Sequence, residues 1–484
     1  MDSHRSEITK QSEIPTKGSD LWNEALEWEK PHELGYGATR DTTGGQELSS
    51  IEVMKLARER FIRYTSQSSG GVDLSMLIYP SSGAPSGLSD EDTKNLELIL
   101  FLLASAEKVG NMKFDRAVKL LSMCDDLSPV TNHGHEGCET EQPLHVEEAV
   151  NDVQPAVFAW QQVLIKNKFL QQELPFVQVA QFTGIQAVLD SVASAKRIHF
   201  IDFGIRSGMN ATVLIQALAV RHRVGPALRQ KFALGPDELR AGLVRHECPV
   251  ELLKVTDVAT TSELAVEETG KRLLSFADTI NLPFFFKAVL VSDIKDLNED
   301  VFEVEAGEAI VVYSPWFLRN MTSRPHRLEA LIRVIRNLSP CVMVVTEIDA
   351  NTDAPTFMDR FVEALFFYGS QFDCLEACIN RCNPMRIKNE AMYMKYGIHN
   401  TVTTEGEERT TRHMKVDAWS EFFGRFQMVE KELSSACFYQ ARLIVNKFAC
   451  GSGCTFDMNG NCLLIGWKGT PISSLSAWKF LQEE

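Results

Sequence analysis

No stretch of this 484-residue chain approaches the roughly eighteen consecutive apolar residues that cross a bilayer, so no membrane span is expected. Paired C-x-x-C spacing is missing too, although there are eleven cysteines. Their irregular positions behind a hydrophilic amino terminus point to free thiols in a reducing compartment. Neither a G-x-S-x-G elbow nor an H-E-x-x-H run occurs, which removes the common hydrolase and zinc-protease arrangements. Basic charge is also short: 49 Lys and Arg stand against 65 Asp and Glu, a formal net charge of −16. Such a surface repels phosphate backbones, and direct DNA binding would need a dense local patch. The best stretches, Arg221 to Arg229 and Arg324 to Arg336, are sparse. What is present is a composition 44% apolar, enough to bury a large core.

The chain is organised around Lys196 to Ala219. Ile198, Phe200 and Ile201 make a short apolar run that ends on Asp202, followed by Gly204 and Gly208 and then an amphipathic helical pattern through Val213, Leu214, Leu218 and Val220. A buried strand, a glycine turn and a helix are the first half of a βαβ unit, and its crevice lies at the strand's carboxyl end. The alternation continues. Strands are predicted at Val250 to Val255, Phe284 to Val291, Ala309 to Tyr313 and Cys341 to Ile348, with helices at Leu264 to Ile280, His326 to Asn337 and Thr356 to Gln371. This pattern predicts an α/β fold with a mainly parallel sheet and helices on both faces. Cys462 to Leu481 reads as two further strands around the TPISS segment, pairing antiparallel at an edge.

Ahead of this core, residues 1–48 read as a polar, flexible arm carrying one apolar cluster, Leu21, Trp22, Leu26 and Trp28. Residues 49–88 hold an amphipathic helix, Ile51 to Tyr64, with Val53, Met54, Ala57, Phe61 and Ile62 on one side, and then a Ser/Gly/Pro-rich connector. A helical hairpin follows, with Ser89 as N-cap. Leu96, Ile99, Leu100, Leu103, Ala106 and Val109 form its first apolar stripe; Phe114, Ala117, Val118, Leu120 and Leu121 resume it after the break at Gly110 and Asn111. This face is read as a core pair that can also meet another chain. Asp125 to Gln142 is a polar insert, and helices from Val146 to about Ser194 lead into the central strand.

Candidate chemistry is thin. Asp202 to Gly208 partly matches the D-x-G-x-G-x-G loop that holds S-adenosylmethionine, but Arg206 stands at the middle glycine. Asp257 is placed to accept ribose hydroxyls, and Tyr313-Ser314-Pro315-Trp316 faintly matches the loop of amino-methylating enzymes. Open sheets gather glycines and acids at such turns whatever their function. His133, His135, Cys138 and His145 fit no usual zinc spacing, so no metal is expected. Cys374, Cys378 and Cys382 recur at four-residue steps and are expected on one helix face as small core residues.

In order along the chain, these segments resemble the plant GRAS family of transcriptional regulators, nearest to its DELLA-like branch. LILFLLASAEKV…FDRAVKLLSMC resembles the first leucine-rich region; Ile198, His199, Phe200, Ile201 and Asp202 stand at the positions of the V-H-I-I-D signature; ELAVEETGKRLLSFADTINLPFFFKAV resembles the second leucine-rich region. Pro340 and Phe367-Tyr368 match the P-F-Y-R-E region, and Trp467 with Ser476, Ala477 and Trp478 matches the closing S-A-W block. The D-E-L-L-A sequence is missing from the arm. Arg409 and Arg412 fall at an R-V-E-R run whose glutamate is Thr411; Trp419 is kept from W-R-x-R while Ser420 and Phe422 replace its arginines. These departures argue against an ion-pair network there, with Arg425 the available substitute.

The resemblance implies a helical cap, about residues 89–195, over a Rossmann-like, methyltransferase-like core, about residues 196–484. It implies a nuclear transcriptional regulator or co-regulator, not an enzyme and without a cofactor. Its partners would be DNA-binding factors of the zinc-finger type and other GRAS proteins, the latter pairing as homo- or heterodimers through the cap. Leu96, Leu100, Leu103, Val109, Trp467, Ser476 and Trp478 are then the candidate partner contacts. His199, Asp202, Gly204 and Gly208 become a structural signature: the carboxylate caps the next helix, and the imidazole bonds across the boundary between cap and core. The alternative is an S-adenosylmethionine-type methyltransferase, or a small-ligand sensor, working in the crevice beside Asp202.

Overall fold

Short runs rich in Val, Ile and Phe cannot stay extended alone in water, and here five of them pair side by side. They are β1 (Arg197–Asp202), β2 (Leu252–Ala259), β3 (Phe284–Leu290), β4 (Glu308–Pro315) and β5 (Val342–Ile348). The computed structural model describes residues 48–67, 88–128, 173–204, 207–219, 249–259 and 263–481. The five strands are parallel in the order β3-β2-β1-β4-β5, a doubly wound arrangement whose switch point lies between β1 and β4.

The sheet then reverses. β9 (Thr470–Phe480) runs antiparallel to β5, and β8 (Cys462–Trp467) and β7 (Cys454–Asn459) complete the order, while β6 (Met428–Glu430) pairs β9 off the main path. The architecture is therefore Rossmann-like, with a parallel half and an antiparallel half. Two of the sequence expectations change here. TPISS lies inside β9 rather than between two strands, and β9 sits in the interior of the sheet with β7 at the edge. At the opposite edge stands β3, where Phe285 and Leu290 remain exposed and only Lys287 interrupts the apolar run.

Side chains alternate across the sheet and feed two cores. On one face Ile198, Phe200, Val255, Val311 and Val344 pack under the helix Pro175–Ser191 and helical residues 209–219, among others. On the other, Ile201, Val312 and Met343 meet the helix Pro325–Asn337, whose Leu328, Leu331, Ile332 and Ile335 fall on one stripe and are all buried. Each of those four side chains contributes about 1.5–3 kcal/mol by leaving water. The helix Val416–Gly424 adds Trp419, Phe422 and Phe423, and Phe423 packs 4.8 Å from Trp478 of β9.

The cap is built from α1 (Ser50–Gln67), α2 (Asp90–Gly110) and α3 (Phe114–Leu127). A capping box opens α1: the Ser49 amide donates to Glu52 at 2.8 Å and the Glu52 amide to Ser49 Oγ at 3.4 Å. Ser89 caps α2 as expected, accepting from the Asp92 amide at 3.0 Å. Val53, Ala57 and Phe61 of α1 share one core with Leu96, Leu100 and Leu103 of α2 and Leu120 of α3, so the first helix is part of the cap. Three expectations differ. Ile62 points to solvent; Asp125 to Leu127 belong to α3 rather than to a polar insert; and α3 buries Ala117 and Leu120 while exposing Phe114, Val118 and Leu121. The amino-terminal arm, the Ser/Gly/Pro connector and the candidate metal residues His133, His135, Cys138 and His145 lie outside the described residues.

The free-thiol expectation is corrected at Cys378, Cys382 and Cys450, each of which is disulfide-bonded. Cys378 and Cys450 form a disulfide that spans 72 residues of sequence, whereas Cys124, Cys341, Cys374, Cys437, Cys454 and Cys462 are free. The helix Phe357–Cys378 also ends too early to carry the third member of the expected cysteine stripe, Cys382. Among the described residues, no helix is long and apolar enough to cross a membrane.

Truncating the indole at the join between the sheet's two halves tests this packing. Trp478→Ala removes a fully buried ring and the indole N–H that donates to Ser476 Oγ at 2.8 Å. It should cost about 3–5 kcal/mol in urea unfolding; a loss under about 1 kcal/mol would show that β9 does not carry the core as described.

Candidate functional site

β1 carries the signature, and its period of two splits that signature between the two faces. Ile198, Phe200 and Asp202 face one core, and His199 and Ile201 the other. His199 is fully buried. Its Nε2 lies 2.8 Å from Thr256 Oγ1 on β2, and its Nδ1 3.3 Å from Glu308 Oε2 at the start of β4. Lys254 Nζ is 3.9 Å from the same carboxylate oxygen and donates to the carbonyls of Phe302 (3.1 Å) and Glu303 (2.5 Å); Arg197 stands 3.9 Å from Glu308 Oε1. The imidazole therefore bonds within the sheet, not across the boundary between cap and core, because β1 is sandwiched between β2 and β4. A carboxylate so close would normally favour imidazolium, yet burial, then Lys254 and Lys287, push His199 down to about 3. The ring is neutral at neutral pH, and the network is a buried structural bridge among three strands.

At the carboxyl end of the strands, Asp202 aligns with Asp257 on β2 and Tyr313 on β4. Asp202 and Asp257 are 0% and 1% exposed. Burial and the Asp202 charge raise the Tyr313 phenol far above its ordinary value, so it stays protonated. Both glycines serve the chain's path and its packing. Gly204 adopts φ +94°, a region that favours glycine, and the Phe317 side chain sits 3.8 Å from where a Cβ would stand. At Gly208, with φ +73°, a Cβ would come within 2.9 Å of Thr269 Cγ2 and 3.4 Å of Leu273. Helix Glu263–Thr279 thus packs directly against this turn at Gly208. Arg206 is outside the described residues.

The expected partner contacts are mostly interior. Leu96, Leu100 and Leu103 are buried in the cap's core, and Val109 is half-buried. Trp467, Ser476 and Trp478 are buried too; Trp467 Nε1 donates to Asp373 at 2.6 Å, and Lys468 reaches the same carboxylate at 2.8 Å. The physical reason is shared: a strand between two layers and a helix packed against two others turn these positions inward. Sequence reasoning placed all the apolar residues of α3 on one stripe, a core pair that can also meet another chain, and did not separate its buried side from its exposed side. The alternation of Phe114, Val118 and Leu121 with Ala117 and Leu120 was the available signal.

An ion-pair network does exist where the R-V-E-R departures argued against it. Arg409 and Arg412 both reach Asp353 Oδ1, at 3.1 and 2.9 Å, and Arg360 pairs Glu405. Arg425 is not the substitute; its guanidinium lies over the Phe422 ring, 4.9 Å from the centroid. Among the described residues, no cluster of three or more His, Cys, Asp or Glu is placed to hold a metal.

Comparison with known proteins bears directly on this arrangement. The model of the GRAS domain family matches residues 140–479. The chain is 30% identical over 308 residues to DELLA protein GAI1 of Vitis vinifera, covering 63% of this chain and 48% of that protein. It is 31% identical over 322 residues to DELLA protein 1 of Medicago truncatula, with coverages of 64% and 50%. It thus spans about half the length of the curated relatives it matches. The crystal structure of SCL7 from Oryza sativa superposes with a TM-score of 0.60 at 21% identity, covering 87% of this chain and 99% of that one. That likeness is one of fold.

Two buried histidines, His199 and His413, are both held down to about 3, chiefly by burial. The fold refuses the proton that the unfolded chain accepts near pH 6.5, so stability is intact above that value and is lost as pH falls towards 3. Urea unfolding from about pH 7.5 to pH 6 should show a loss of ~1 kcal/mol for each histidine. His199→Gln should flatten the dependence by about half, and unchanged stability across this window in the native protein would contradict the neutral imidazoles.

Proposed function

The chain belongs to the GRAS domain family, and from that membership we propose that it is a nuclear regulator of transcription that works by binding other proteins rather than by catalysis. The observation that carries the reading is the outer face of α3. Phe114, Val118 and Leu121 are 53%, 64% and 42% exposed at helical spacing, with Met112 beside them at 74%. Large apolar side chains gathered on one helix face mark a protein-interaction surface more often than an idle one. Asp115, Asp125 and Asp126 stand on the same helix, and the whole chain carries a net charge of −16. This combination suits a partner with a basic rim and an apolar centre, such as a DNA-binding factor of the zinc-finger type, better than it suits DNA. Pairing with other GRAS proteins, in homo- or heterodimers, would use the same face of the cap. Leu96, Leu100 and Leu103 act behind it by holding α2 and α3 in place.

The crevice beside Asp202 is not assigned a cofactor in this reading. The packing of Phe317, Thr269 and Leu273 around Gly204 and Gly208 supports a structural use of that turn. In this reading nuclear residence is inferred from family membership, and it needs no basic cluster if entry follows a bound partner.

The full chain carrying Val118→Glu and Leu121→Glu tests the surface. Both side chains face solvent, so unfolding stability should change by less than about 0.5 kcal/mol each. Binding to a co-expressed GRAS protein or zinc-finger factor should fall at least tenfold. Unaltered binding would exclude α3 as the contact, and a native fluorescent fusion confined to the cytosol in the presence of its partner would exclude the nuclear assignment.

A further inference from the structure

Beyond the regulatory reading, one cavity has the chemistry of a ligand site. It encloses about 280 Å³ at the carboxyl ends of β4 and β5, where open α/β sheets take their ligands, and close to the lower end of the range for small-molecule pockets, about 300–1,000 Å³. It does not involve Asp202, Gly204 or Gly208. Helix Phe357–Cys378 supplies Phe367 and Tyr368 to its wall, Trp316 comes from just past β4, and residues 384–402 lie over it with Tyr393 and Gly397. Tyr396, 58% exposed, and Asn320 stand at the open side.

Three residues that line this one space each carry a buried polar atom with no hydrogen-bond partner among the described residues: Asn389 Oδ1, His413 Nδ1 and Ser473 Oγ, on residues 6%, 7% and 2% exposed. Leaving such atoms unmatched is costly, so their gathering around a cavity asks for an occupant with polar groups. A cation faces the same space. Arg319 lines it, and burial there works against its positive charge. Glu347 is close enough to support the charge, but its Oε1 accepts from the Arg319 backbone N–H at 3.3 Å. His413, neutral beside Arg319, can donate or accept.

Two backbone features at the wall point the same way. Trp316 adopts φ +52°, a left-handed conformation that a bulky side chain holds only when its surroundings insist, and its N–H donates to Thr346 O at 2.7 Å. Residues Glu390–Met394 form a π-helical turn, a rare insertion that accompanies functional sites.

We propose that this cavity binds a small aromatic or cyclic carboxylic acid. The guanidinium fork of Arg319 takes the carboxylate through paired N–H donors, the aromatic wall takes the ring, and Asn389, His413 and Ser473 complete the polar contacts. An ordered-water filling would satisfy the polar atoms alone but would leave the aromatic wall and the Arg319 guanidinium without a use.

Calorimetric titration of the full chain with trans-cinnamate and 2-naphthoate, each against its uncharged amide, tests the assignment. The acids should bind saturably and at least tenfold more tightly than the amides. Arg319→Gln should erase the preference, and Gln371→Trp, which places an indole at the lining, should abolish binding of both; thermal unfolding of each variant establishes that it is folded. Should Arg319→Gln fail to fold, the acid preference of the native chain together with its loss in Gln371→Trp decides. The proposal is overturned if none of the four compounds binds at millimolar concentration, if acids and amides bind alike, or if folded Arg319→Gln keeps the native preference.

Discussion

The antiparallel return of β9 is the constraint on which the rest of the molecule depends. Five parallel strands alone would leave β5 as an open edge with unmet backbone donors and acceptors. β9 pairs β5 on one side and β8 on the other, and it also holds β6, so one eleven-residue strand joins the parallel half to the carboxy-terminal hairpin. Its side chains finish both cores: Leu475 and Ala477 belong to one, Trp478 to the other. That is why its closing Ser-Ala-Trp segment is interior. A block so distinctive in sequence invites a surface role, but its composition answers to the two layers it lies between.

A second constraint runs across the opposite half of the sheet. Arg197, His199, Lys254 and Glu308 place several ionisable groups in or beside the core, an arrangement that seldom adds stability over apolar packing of the same volume. Its effect here is geometric. Lys254 fastens the carbonyls of Phe302 and Glu303, and Glu308 lies between groups from β1 and β2, so the loop before β4 and three strands are set relative to one another by hydrogen bonds that hydrophobic contacts could not direct.

Much of this was legible in the chain. The parallel strands β1 to β5 were readable because buried strands are short continuous apolar runs, and the helices between them because their stripes recur with the helical period. β6 and β7 were not. Met428–Glu430 is only three residues long, and Cys454–Asn459 is a half-buried edge strand with no apolar run to announce it. The Cys378–Cys450 disulfide was hidden by the 72 residues between its cysteines. At the site, the strand that holds His199 and Asp202 was found from sequence, while the partners of His199 were not, since Thr256 and Glu308 lie 57 and 109 positions away and become neighbours only through the strand order. The cap misled for a different reason. Periodicity shows that a helix has an apolar stripe, but α3 has two, and while their spacing separates Phe114, Val118 and Leu121 from Ala117 and Leu120, it does not say which set the other helices cover.

The outer strand β3 has a consequence for how the protein behaves while it is being made. Its sequence, Phe284-Phe285-Phe286-Lys287-Ala288-Val289-Leu290, is nearly all apolar and stands at the end of the strand order with Phe285 and Leu290 open to water. Lys287 is the single charge in the run, pairing with Glu303 at 2.7 Å. One ammonium group thus acts as gatekeeper, making it costly for two newly synthesised copies to zip together along that margin before the helices have closed over the sheet.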